Sequence, residues 1–249
     1  RKKFDTKPHQ HPSILFNTMP KTGSVFIGKT LARSLDIFYS ERPLSHGFFP
    51  YYFVIDNEAR WLKKKNIIRQ EHMDGSEINL MLIKRYIDKM VVHFRDPRQA
   101  TLSWFHHTDR LRKKFPNGVN YSIHQEPSNY NTWNLSQRLD WHIETTLASN
   151  VKWLRDWIVV CENNVDLKIL FTSYEDFFSN PKEFFNNILE FYEIDKKYFS
   201  YNPPRKVIGN NYRNGTPDEW KNVLTDAQKS RSLEIIGIDL IKKFSWDKN

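Results

Sequence analysis

The chain has 249 residues, enough for one α/β domain with a full core. Eighteen Phe, eleven Tyr and eight Trp exclude disorder over most of that length. Lys and Arg number 38 against 29 Asp and Glu, a formal net charge of +9, which suits an anionic ligand and equally a solvated surface.

Cys161 is the single cysteine, so no internal disulfide can form, and a reducing, cytoplasmic setting is expected. It ends the apolar run from Trp157 and reads as a buried small hydrophobe. No apolar run approaches the length needed to span a bilayer.

Residues 1–12 are polar and read as a flexible lead-in to a domain over residues 13–249. Ile14, Leu15 and Phe16 form a buried-strand pattern. It runs into Pro20-Lys21-Thr22-Gly23-Ser24, after which Ile27, Leu31, Leu35 and Phe38 recur at helical spacing. A strand, a glycine turn and a helix start gather backbone N–H groups and the positive end of a helix dipole, which makes an anion site. It is not a Walker A loop, because Lys21 precedes the glycine.

Residues 41–66 mix aromatic and charged side chains and predict a helix with long connections. Residues 67–72 form a short strand candidate ending near Glu71 and His72. Lys89 to Arg95 reads as a buried strand, followed by Asp96-Pro97-Arg98-Gln99. There Asp at the N-cap, Pro at N1 and Gln at N3 start a helix. Residues 112–137 have no sustained period and predict a long loop, of the kind that is either functional or disordered.

Residues 139–161 are helical in pattern and lead to a strand at 167–172. Asn180-Pro181-Lys182-Glu183 repeats the helix-start signature ahead of Phe185, Ile188, Leu189 and Tyr192. Thr225 with Gln228 opens the last helix, with Leu233, Ile236, Leu240 and Phe244 on one face. Strands alternating with helices predict an α/β domain, its mostly parallel central sheet flanked by helices.

Arg95 ends a strand and Ser103 lies eight residues on, so a guanidinium and a hydroxyl could grip one phosphate from two sides. Histidine is the usual base for deprotonating a hydroxyl near neutral pH. Nine are present. His93 reads as structural inside its strand, as do His106 and His107 on the following helix. Glu71 and His72 are neighbours on a strand and must face opposite ways.

Four segments in order resemble the sulfotransferases that use 3′-phosphoadenosine 5′-phosphosulfate (PAPS). Pro20-Lys21-Thr22-Gly23-Ser24 is similar to their 5′-phosphosulfate loop, a P-loop-like strand–loop–helix. Arg95-Asp96-Pro97 with Ser103 resembles their 3′-phosphate site. Leu170 to Asp176 with Asn180-Pro181 matches a third segment, and Arg213-Asn214-Gly215 with Trp220-Lys221 matches the loop that closes over the 3′-phosphate.

The resemblance implies transfer of a sulfuryl group from PAPS to a hydroxyl or amine of a small-molecule or glycan acceptor. Lys21, Thr22, Gly23 and Ser24 would hold the phosphosulfate, Phe26 would stack on adenine, and Tyr174 would lie near it. Arg95, Ser103, Arg213, Asn214 and Gly215 would hold the 3′-phosphate. His72 stands where the cytosolic type keeps its catalytic histidine, and Glu71 is the rival base.

The family's dimerisation pattern survives only at Lys221 and Thr225, so that dimer is not expected. No nucleic-acid partner and no metal are expected. Two other readings stay open, a phosphate-loop kinase and a non-catalytic binder of anionic glycan or nucleic acid.

Overall fold

The computed structural model describes residues 10–115, 124–205 and 215–247. β1 (Ile14–Thr18) leads through the glycine turn into α1 (Ser24–Ser34), then β2 (Phe38–Ser40). A hairpin follows, β3 (Ser45–Phe48) and β4 (Tyr51–Val54), with α2 (Asp56–Ala59) and a single 3₁₀ turn behind it. β5 (Ile67–Glu71), α3 (Glu77–Ile83), β6 (Lys89–Phe94) and α4 (Pro97–Lys114) complete the first half. The second half holds α5 (Leu135–His142), α6 (Ala148–Asn163), β7 (Lys168–Ser173), α7 (Tyr174–Ser179) and α8 (Pro181–Phe191). It ends with α9 (Trp220–Val223), α10 (Asp226–Ile236) and α11 (Ile238–Lys243).

Five strands form one parallel sheet in the order β2-β5-β1-β6-β7. β1 is central and buried along its whole length, as a strand covered on both faces must be. Its alternation divides the core. Ile14 and Phe16 pack with Ile27 and Leu31 of α1 and with Phe185 and Ile188 of α8. Leu15 faces the other way, into the cluster of Trp153, Leu154 and Trp157 of α6 and Leu240 of α11.

Four sequence expectations are corrected. In residues 41–66 the expected helix is short, Asp56–Ala59 with the 3₁₀ turn Arg60–Lys63, and the preceding connection is a hairpin. Tyr51-Tyr52-Phe53-Val54 is a run of strong strand formers that pairs back on 45–48, with Val54 opposite Ser45. The final helix is broken at Gly237, whose φ of 83° no helix accommodates, and Leu233 is exposed instead of joining the apolar face. Cys161 is half-buried and not enclosed. The helical stretch near 139–161 starts at Leu135 and contains one wide π turn, Ile143–Leu147.

The start of α4 fastens the far end of the chain. Asp96 caps it by accepting the Arg98 N–H at 2.9 Å. The Arg98 guanidinium bonds the same carboxylate, donates to the Trp246 carbonyl and lies 3.7 Å over the Trp220 ring. Gln99 does not close a capping box. Its side-chain oxygen accepts the Trp220 N–H instead. Arg98 and Asp96 are each 4% exposed, so Arg98→Ala strands a buried carboxylate and should cost about 3–5 kcal/mol. Urea unfolding would measure it, and a loss under about 1 kcal/mol, the range of a surface pair, would show that the pair carries little.

Candidate active site

The turn after β1 needs two left-handed residues, Lys21 at φ 67° and Gly23 at φ 73°. At Gly23 the need is also steric, since a Cβ would stand 3.0 Å from the Tyr174 ring. No side chain caps α1 and its first turn carries no acid, which leaves the N–H groups and dipole to an anionic ligand. The Thr22 hydroxyl donates to the Met19 carbonyl at 2.9 Å, so it braces the turn, and Thr22 offers a ligand its N–H. Ser24 begins the helix and is buried.

His93 supports this turn from below. A carbonyl only accepts, so Nε2–H donates to the Thr22 oxygen at 3.1 Å, and Nδ1 accepts from the Thr172 hydroxyl at 2.9 Å. Burial pulls its pKa down to about 4, which keeps the ring neutral. The structural reading of His93 therefore holds.

His72 follows β5 at the edge of the sheet. Its Nδ1 lies 2.6 Å from the Thr18 carbonyl oxygen, which makes Nδ1 the protonated nitrogen. Nε2 is left with a lone pair and meets the Gln70 side-chain nitrogen at 3.2 Å. Burial, then the nearby Lys21 ammonium, hold the His72 pKa below its ordinary 6.5. Burial, then the same ammonium, depress His107 to about 4.

Glu71 is committed elsewhere. Its buried carboxyl accepts from the Leu44 N–H and, at 2.9 Å, from the Ser45 hydroxyl, and burial pushes it up to about 7. The parity of the strand has separated the two candidates for the base.

Arg95 ends β6 behind the turn. Its guanidinium lies 4.1 Å over the Tyr174 ring and donates to the carbonyls of Lys21 and Thr216. The Tyr174 hydroxyl donates to the Gly215 carbonyl at 2.7 Å. Phe26 is half-buried with its ring 6.1 Å from Phe177, and Ser103 is half-buried on α4. Arg213 and Asn214 lie outside the described residues. Three buried polar atoms meet in this corner with no partner among the described residues, Arg95 Nε, Thr216 Oγ1 and Glu175 Oε2.

Beside the turn is a recess walled by Pro20, Phe49, Ala100 and Trp104. Thr146, Ser149 and Asn150 of the π turn and the start of α6 close it, with His124. Phe49 comes from the turn of the β3–β4 hairpin and His124 from the loop stretch 112–137, whereas the residues at 146–150 lie in a stretch read only as helical. Their signal was a run of neutral polar residues, Thr145-Thr146 and Ser149-Asn150, inside an amphipathic helical stretch.

Glu175 offers a test of this buried corner. Burial, then Asp96, raise its pKa from 4.5 to about 7, so between these values the folded chain holds a proton that the unfolded chain has lost. The associated stability is full below pH 4.5 and falls away as pH rises through 7. Glu175→Gln cannot titrate. The stability of the parent chain relative to the variant should drop by on the order of 3 kcal/mol between pH 4.5 and 8, measured by urea unfolding at both. A constant difference would refute the assignment.

A family model described as a sulfotransferase domain matches residues 11–244. No curated protein sequence matches the chain at a significant level. Among solved structures, the mouse sulfotransferase SULT7A1 complexed with PAP is similar at a TM-score of 0.58 and 18% identity, covering 90% of this chain and 82% of that one. The sulfotransferase domain from the curacin biosynthetic pathway gives 0.56 and 12%, over 95% and 99%. That of the Synechococcus PCC 7002 olefin synthase gives 0.51 and 13%, over 94% and 97%.

Proposed function

The chain belongs to the sulfotransferase family, and from that premise we propose that it moves the sulfuryl group of PAPS to a hydroxyl or amine, with His72 as base. PAPS supplies an activated sulfuryl group on a phosphate leaving group. The residues fit such a ligand, which carries its two anionic groups on the 3′ and 5′ positions of one ribose. The uncapped start of α1 with Lys21 suits the phosphosulfate end. The Arg95 guanidinium, with its unpartnered Nε, suits the 3′-phosphate, with Ser103, Arg213, Asn214 and Gly215 as its neighbours.

The observation that carries the reading is the His72 tautomer. Thr18 holds Nδ1–H, so Nε2 takes the proton of the acceptor hydroxyl as its oxygen attacks sulfur in line. Lys21 and the N–H groups of the turn stabilise negative charge on the departing phosphate oxygen, charge that grows as the bond to sulfur breaks. Tyr174 and Phe26 flank the adenine.

The recess beside Pro20 is the acceptor's place. Its walls are aromatic and neutral polar, which favours a small uncharged hydroxylated or aromatic acceptor over an acidic glycan. A kinase reading would want free carboxylates for Mg²⁺ at the end of β6, but Asp96 there is spent on Arg98.

Calorimetry with 3′,5′-adenosine bisphosphate, ATP and heparin separates the readings, and tight binding of the bisphosphate alone is expected. Arg95→Ala should weaken that binding by about 1.5–3 kcal/mol and leave a 5′-monophosphate analogue nearly unchanged. Lys21→Ala should lower turnover far more than bisphosphate affinity, because its charge is needed most in the transition state. His72→Ala should nearly abolish turnover, and Glu71→Gln should keep it. The acid limb of the turnover–pH profile should lie below about 6.5. Activity in His72→Ala would remove the base from His72.

A further inference from the structure

Gln70 lies in β5 and precedes His72, the first residue past the strand, by two, so continued alternation directs both to one face. Its side-chain nitrogen is 3.2 Å from His72 Nε2 and 3.3 Å from the Thr18 hydroxyl oxygen. Its side-chain oxygen lies 3.4 Å from the Tyr39 hydroxyl. Because Thr18 occupies Nδ1–H, Nε2 can only accept, and only the NH₂ end of Gln70 satisfies it. The Tyr39 hydroxyl donates to the other end and fixes which way the amide points.

Tyr39 is itself fixed from behind. Its ring lies against Gly28 of α1, where a Cβ would come within 2.8 Å of the ring, and Lys29 Nζ stands 5.5 Å above the ring centroid. A glycine in a helix interior costs stability, and the space it opens here goes to this ring.

We propose that Gln70, braced by Tyr39, is a positioning residue that holds the His72 ring with Nε2 presented as an acceptor beside the Lys21 turn. The acceptor hydroxyl displaces the Gln70 amide to reach Nε2. Once Nε2 carries the acceptor's proton, two N–H groups face each other, and the amide can accept from the imidazolium only by turning over and giving up Tyr39. The arrangement therefore favours release of that proton between turnovers. The inference rests on His72 being the base.

The other charged or titratable groups about His72 are the Lys21 ammonium, Tyr52 of β4 with its ring centroid 6.3 Å away, and Glu71, which is turned to Leu44 and Ser45.

The test uses ring-labelled histidine NMR on the whole protein alongside turnover–pH profiles. Gln70→Glu sets a carboxylate against Nε2 and should raise the His72 midpoint by about one pH unit or more. Gln70→Met cannot donate, and Tyr39→Phe frees the amide to turn. Each should raise the midpoint by less, which gives a second readout if the Glu variant folds poorly. A His72 midpoint unmoved in Gln70→Glu and Gln70→Met overturns the proposal. If the acid limb of turnover follows the midpoint, both the positioning role and the base assignment are supported. If the midpoint moves and the limb does not, Gln70 still positions the ring, and it is the base assignment that falls, as His72→Ala would report independently.

Discussion

Every candidate group depends on the common direction of the five strands. In a parallel sheet each strand delivers its last residue to the same edge, so β1, β5, β6 and β7 end side by side. That one constraint gathers the Lys21 turn, His72, Arg95 and Tyr174, residues up to 153 positions apart in sequence, along a single rim. The central position of β1 then explains why polar struts must be buried. A turn at the middle of the sheet has strands on both sides and can be braced only from within, as His93 and Thr22 do.

The rim would be open on one side without the end of the chain. α4 begins where β6 stops, and its first turn receives Trp220 and the Trp246 carbonyl. The buried Asp96–Arg98 pair is thus less a source of net stability than a fixed address. It ties residues 215–247 to the strand end that also bears Arg95. The same Arg95 then reaches Lys21 on one side and Thr216 on the other.

Much of this site was legible in the sequence where the chemistry requires contiguous residues. The Pro20–Ser24 turn needs its strand, its glycine and its helix start in order, and they stand in order. The choice between Glu71 and His72 was half legible, since alternation shows that they diverge but not which one meets the rim. Gln70 was not legible, because its role comes from Thr18 on another strand taking Nδ1. The hairpin at 45–54 was hidden by its shortness, four residues a side. The last helix was read as one piece because a helical wheel continues through Gly237, where the fold breaks it into α10 and α11.

The π turn at Ile143–Leu147 has a consequence of phase. It holds one residue more per turn than the α helices on either side, and each residue of an α helix advances the face by about 100°. Trp153 and Trp157 enter the core while Ser149 and Asn150 approach the recess only because α6 is rotated by that increment relative to α5. Removing a single residue there, with every side chain beyond it unchanged, would turn the apolar stripe away from β1 and the Ser149 and Asn150 side chains away from the recess. The floor of the recess is therefore set by a count of residues, and a deletion in that turn would do more harm than most substitutions in it.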